Sequence, residues 1–145
     1  MMRLWGRKSS INVQKVLWCL AELGLKEGKD FERIDAGLHF GVNRSPEFLE
    51  MNPNGLVPTL KVGELILWES NTIVRYLAKE HDKNQRFPKD IAAQYHSEKW
   101  LDWQLGTMWP ILRIVFLGLT RTPEEKRNQA GIQKAFQDTN ELLSM

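Results

Sequence analysis

Three short stretches combine residue types able to hold a small ligand with a thiol or a carboxylate. Ser9, Ser10 and Asn12 surround the predicted start of one helix; Glu69, Ser70 and Asn71 surround the start of another. A helix N-terminus carries unpaired N–H groups and about half a positive charge, which suits an anion such as a carboxylate or a thiolate. Ser and Asn are also the commonest helix caps, so either start taken alone reads first as plain capping. The third stretch is Asn54-Gly55-Leu56-Val57-Pro58. Proline at a strand entrance removes one ladder donor. With a cis Val57–Pro58 bond, Val57 would turn its own N–H and C=O toward an extended peptide, a short case of strand addition. An ordinary turn before a strand is the competing reading.

The elements around these stretches decide whether they meet. Arg3-Leu4-Trp5 reads as an opening strand. Val13, Val16, Leu17, Leu20 and Ala21 form an i, i+3, i+4, i+7, i+8 stripe, so an amphipathic helix runs from Asn12 until Gly24 ends it. Phe31 to Ile34 is a second strand, followed by a polar loop from Asp35 to Arg44. Ser45-Pro46-Glu47 gives an N-cap, a first-turn proline and an acid at the positive helix end. That helix is short because Asn52-Pro53-Asn54-Gly55 breaks it. Thr59–Val62 and Leu65–Trp68 are strands joined by Gly63-Glu64, a pair that suits a type II′ turn. Ile73, Val74, Leu77 and Ala78 then mark a helix beginning near Ser70. A helix between the first two strands makes them parallel, and the hairpin adds an antiparallel pair. The result is an α/β unit over residues 1–81, with a small mixed sheet flanked by helices. This order brings both helix starts and the Val57-Pro58 turn to one sheet edge. A peptide with a thiol toward one end and a carboxylate toward the other would fit there.

Residues 82–90 are polar, include Pro88 and read as a linker. From 91 to 145 the pattern is helical only. A long stretch from Ile91 to Leu119 is expected to bend near Pro110. Thr122-Pro123-Glu124-Glu125 reads as a capping box, ahead of a stripe formed by Ile132, Ala135, Phe136, Thr139, Leu142 and Leu143. Two helices cannot readily bury their own apolar faces, so the second part reads as an incomplete helical domain. Exposed Phe136, Leu142 and Leu143 would favour aggregation.

Composition narrows the function classes. The chain has 145 residues, 42% hydrophobic and 26% charged, as expected of a soluble protein with a real core. A net charge of +2 with scattered Lys and Arg argues against nucleic acid as a partner. No apolar run nears the ~20 residues of a membrane span, and the polar turn after Met1-Met2 is unlike a secretory signal. A cytoplasmic protein is expected. One cysteine excludes an intramolecular disulfide and a Cys-rich metal site, and no metal is expected. Cys19 falls inside the first helix without a CxxC partner, so it reads as packing. Six Trp is a high count, and Trp100, Trp103 and Trp109 lie close together. They read as helix packing or as the wall of an apolar pocket.

The segments from Leu4 to Val13, from Met51 to Leu60 and from Leu67 to Leu77 together resemble cytosolic glutathione S-transferases, and bacterial theta-like and nu-like members in particular. The resemblance implies a thioredoxin-like N-terminal domain followed by the first helices of an all-α C-terminal domain, whose remaining helices relatives supply beyond the position of Met145. It implies glutathione as co-substrate, held through the backbone of Val57 beside a cis Pro58. Glu69 would take the γ-glutamyl ammonium and Ser70 its carboxylate. His39 would lie near the glycyl carboxylate, Asn54 would touch the tripeptide, and Asp102 would reach the ammonium of a neighbouring subunit's glutathione. Ser10 falls at the position of a catalytic serine, and Asn12 where nu-like members carry a working asparagine. Arg7, Trp103 and Arg113 are candidates for the wall of an electrophile site.

The activity so implied is detoxifying conjugation of the glutathione thiolate to an electrophilic small molecule. A glutathione-dependent disulfide or peroxide reductase and a non-catalytic glutathione-binding protein are the alternatives. A homodimer is also implied, with an interface around Arg75 and Trp100.

Overall fold

A computed structural model of the chain describes residues 1–82 and 87–145. The middle of the expected linker, Lys83 to Arg86, lies outside the described residues. The chain divides into two compact units, Met1–Phe87 and Pro88–Met145.

The first unit is a four-stranded mixed sheet with helices against it, the thioredoxin-like arrangement. Its strands are β1 (Met2–Trp5), β2 (Phe31–Ile34), β3 (Thr59–Val62) and β4 (Leu65–Trp68), in the order β2-β1-β3-β4. β1 runs parallel to β2, with Leu4 opposite Arg33. It runs antiparallel to β3, with Leu4 opposite Leu60. β3 and β4 form the hairpin, and Gly63 at its tip takes φ +58, the sign a type II′ turn requires of its first residue. The helices are α1 (Ile11–Glu22), α2 (Pro46–Met51) and α3 (Ser70–His81). Two short 3-10 turns, Leu38–Phe40 and Val42–Arg44, occupy the stretch expected as loop. Ser45 caps α2 as its sequence suggests, its hydroxyl accepting from the Phe48 N–H at 3.2 Å.

Strand alternation sorts the core into two layers. Met2 and Leu4 of β1 join Val16 and Leu20 of α1, Phe31, Leu60, and Ile73 and Leu77 of α3. Trp5, facing the opposite way, packs with Ala36 and Phe48. Each fully buried Leu or Ile contributes about 1.5–3 kcal/mol, against about 1 kcal/mol for a helix cap. Neither α1 nor α3 has a side-chain capping bond at its N-terminus. The core behind these two helices therefore fixes where they start.

The second unit holds α4 (Ile91–Trp103), α5 (Trp109–Thr120) and α6 (Gln129–Leu143). The expected bend at Pro110 is realised as a π-helical turn, Gln104–Met108, between α4 and α5. Pro110 lacks an N–H and its ring crowds the carbonyl four residues back, so the turn before it widens. The expected capping box does not form. Glu124–Lys126 is a single 3-10 turn, and the Thr122 hydroxyl donates back to the Leu117 C=O at 3.1 Å. The cap that begins α6 is Asn128, whose side chain accepts from the Gly131 N–H at 2.9 Å. Arg127 closes the end of α5 by donating to the carbonyls of Thr122 and Leu119. α6 buries Ile132, Ala135 and Thr139, and Gly118 of α5 gives Ile132 the room to approach. Phe136 and Leu143 are exposed. No helix among the described residues is long and apolar enough to cross a membrane.

Candidate functional site

A small open pocket in the first unit is lined by Asn12, Asn52, Asn54, Leu56, Val57, Pro58, Glu69 and Ser70. It joins the first turn of α1, the loop after α2 and the junction of β4 with α3. Each contributes main-chain or side-chain polar groups, and the sheet order explains the meeting. β1 feeds α1 and its neighbour β3 receives the 52–58 loop, while β4 beside β3 delivers Glu69 and Ser70.

The plain-capping reading of the two helix starts does not hold. Ser10 occupies the N-cap position of α1 and Glu69 that of α3, and neither side chain caps. Ser10 is buried, with its N–H bonded to the Arg7 C=O at 3.1 Å. Ser70 and Asn71 are buried as well, at 6% and 4% exposure. Glu69 is exposed and has φ +71 and ψ 111, a backbone state that costs a non-glycine residue about 1–3 kcal/mol.

The Val57–Pro58 peptide is cis. Among the described residues the N–H and C=O of Val57 have no hydrogen-bond partner. Val57 thus presents one donor and one acceptor beside the entrance to β3, the pair an extended peptide would need. The loop that carries it is built on Asn52, which the sequence marks only as a helix breaker. Asn52 is 2% exposed. Its side-chain NH2 donates to the Leu56 C=O at 2.9 Å and to the Thr59 hydroxyl at 3.0 Å. Its side-chain oxygen accepts from the main-chain and side-chain nitrogens of Asn54, both at 3.1 Å. Asn43 adds a bond to the Gly55 C=O at 2.6 Å.

Asn12, Asn54, Val57, Pro58, Glu69 and Ser70 of the sequence-derived set thus come together, and Ser10, Arg7 and His39 stand outside the lining. His39 is exposed and its ring lies 4.0 Å from that of Phe40. Arg7 lies against Gly37, where φ is +90 and a Cβ would stand 2.5 Å from the guanidinium. Asp102, Trp103 and Arg113 belong to the second unit. There Asp102 and Arg113 are exposed, and the Trp103 ring meets Trp100 edge-on at 5.5 Å. Cys19 is half-buried, and burial pushes its thiol pKa up, which disfavours the reactive thiolate. No group of three or more His, Cys, Asp or Glu among the described residues could hold a metal ion.

Behind the loop that leads to α1 lies an ionic clamp. Arg33 donates from Nη1 to the Gly6 C=O at 2.9 Å and to Asp35 at 2.5 Å, and its Nε lies 3.3 Å from Glu27. The hydrogen bond from Arg33, helped by the charges of Arg33, Lys8 and His39, holds the Asp35 carboxyl below its ordinary range. A depressed carboxyl pKa adds stability above the unfolded value of about 3.9, lost as pH falls through the folded value. Asp35→Asn is therefore expected to melt at a lower temperature than the parent chain at pH 7. The two curves should converge once the medium is acid enough to protonate Asp35 in the folded state. Identical melting at pH 7 would show that the clamp adds nothing.

Comparison with known proteins agrees with this geometry. Residues 1–79 match the family model for the glutathione S-transferase N-terminal domain. The whole chain is similar to glutathione S-transferase GstB of Escherichia coli K12, with 45% identity over 147 aligned positions, and covers 69% of that protein. It is also similar to the theta class glutathione S-transferase of Xanthomonas axonopodis pv. citri, solved with glutathione bound. That match has a TM-score of 0.89 and 42% identity, and covers 98% of this chain and 66% of that one. A glutathione transferase of Phanerochaete chrysosporium, URE2P6, solved with oxidized glutathione, aligns with a TM-score of 0.81 and 28% identity over 99% of this chain and 64% of its own.

Proposed function

Because the chain belongs to the glutathione S-transferase family, we propose that it binds glutathione along the Val57 edge and activates the thiol for conjugation to an electrophilic small molecule. The observation that carries this reading is the unpaired N–H and C=O of Val57 in a pocket shared with Asn12, Glu69 and Ser70. In this pose the cysteinyl main chain of glutathione pairs with Val57, and its γ-glutamyl group reaches Glu69 and Ser70. The ammonium is matched to the Glu69 carboxylate. The carboxylate is matched to the buried Ser70 and the first N–H groups of α3. The thiol then lies toward the first turn of α1.

A free thiol has a pKa of about 8.5 and is only a few per cent ionised at neutral pH. A donor from α1, together with the positive end of the helix, favours the thiolate. The thiol proton leaves to solvent and the sulfur lone pair attacks the electrophilic carbon. A C–S bond forms, and any leaving group departs with its bonding electrons. No metal is called for. We further propose a cytoplasmic homodimer as the working form.

A second reading has one observation in its favour. Asn12, not Ser10, lines the pocket, and asparagine-based relatives can favour glutathione-dependent reduction of disulfides or peroxides. Titration of the chain with glutathione tests the shared premise. Parallel assays with a chloronitrobenzene and with a small disulfide then separate the chemistries. Saturable binding with faster conjugation supports the transferase, and faster disulfide reduction supports the reductase. Absence of saturable binding refutes both.

A further inference from the structure

Lys15 lies on α1, one turn beyond Asn12 and between the core residues Val13 and Val16. A lysine on the half-buried side of an amphipathic helix loses hydration and needs a reason to be there. Its ammonium donates to the Asn71 side-chain oxygen at 2.9 Å, across fifty-six residues of sequence. Asn71 is 4% exposed and follows Ser70 directly. Burial pulls the Lys15 pKa down, and the Glu69 charge opposes that pull. The half-buried Lys15 thus faces Glu69 as its opposing charge. The segment it serves departs from ordinary helix-start geometry. Glu69 is exposed, carries no capping bond and sits at φ +71.

Resting on the glutathione reading above, we propose that Lys15 is a positioning residue that ties the first turns of α1 to the Glu69-Ser70-Asn71 junction and so sets the receptor for the γ-glutamyl group. It touches neither the thiol nor the electrophile. It acts through Asn71 by a charge-assisted hydrogen bond and through Glu69 by charge. Loss of Lys15 should thus weaken glutathione binding and leave turnover at saturation nearly unchanged.

The test is a mutant cycle in the full chain, with the glutathione dissociation constant and the KM and kcat for conjugation as readouts. Lys15→Met is expected to raise the dissociation constant and KM about tenfold and to change kcat by less than about twofold. Lys15→Arg, which keeps the charge and a donor, should restore most of the affinity. The decisive arm is the Glu69→Gln background. If Lys15 works through Glu69, adding Lys15→Met there should cost well under the tenfold seen alone, because coupled residues are non-additive. A merely structural lysine would cost the same in both backgrounds, and that result overturns the proposal. Parent-like affinity in Lys15→Met also overturns it. Should Lys15→Met fail to fold, Lys15→Gln takes its place in the cycle with the same criteria. A parent chain that does not bind glutathione refutes the glutathione reading itself, and this proposal with it.

Discussion

Asn52→Ala is expected to lower the stability of the first unit by about 2–4 kcal/mol and to weaken glutathione binding by more than tenfold. The reason lies in how many groups depend on one buried amide. Among the described residues, Asn52 supplies the only side-chain partners of the Leu56 carbonyl and the Asn54 main-chain N–H, apart from a long 3.4 Å contact between Thr59 and Leu56. Each buried group left unsatisfied costs about 1–3 kcal/mol. Water can rescue the exposed Asn54 but not Thr59, which is fully buried. The loss falls on the loop that delivers Val57, so affinity and stability should fall together. Urea unfolding and a glutathione titration check this. An unfolding midpoint within error of the parent, with unchanged affinity, would show that the loop is held by other means.

The second large effect concerns the thiol. Asn12→Ala is expected to reduce turnover about a hundredfold, the usual magnitude for one donor removed from a developing anion, and Ser10→Ala by much less. Asn12 lines the pocket with its side-chain amide unengaged by the described residues, whereas Ser10 lies outside the lining. The direct readout is the ultraviolet absorbance of bound thiolate against pH. The titration midpoint should move to higher pH in Asn12→Ala and stay near that of the parent in Ser10→Ala. The reverse pattern would assign the role to the serine. No movement in either variant would remove both from the mechanism.

Much of the first unit was legible from spacing alone. β2, β3 and β4 fall on the residues that alternation and the Gly63-Glu64 turn indicate, and Ser45 caps α2 as written. These are local signals, enforced within a few residues of chain. The failures are places where competing local partners satisfy the same groups in another way. Thr122-Pro123-Glu124-Glu125 satisfies the capping-box pattern, yet Thr122 finds Leu117 and α6 waits for Asn128. Pro110 announces a disturbance without saying that a π-helical turn absorbs it.

In the site, the order of strands and helices was enough to bring Asn12, Val57, Glu69 and Ser70 to one place. Asn52 and Lys15 were not visible. An asparagine before Pro-Asn-Gly reads as turn chemistry, and a lysine in a helix reads as a solvated face. Only the tertiary bonds to Leu56, Thr59 and Asn71 give them other work.

Glu69 and Leu38 are the two non-glycine residues with positive φ among those described. A library selected for heat resistance alone should enrich glycine at both, since glycine accepts that backbone state freely. At Leu38, exposed and outside the pocket lining, the exchange would be harmless to the proposed chemistry. At Glu69 it would strip the pocket of its carboxylate. Selection for endurance and selection for ligand would diverge at that one codon, and the fate of glycine there would reveal which pressure a lineage had been under.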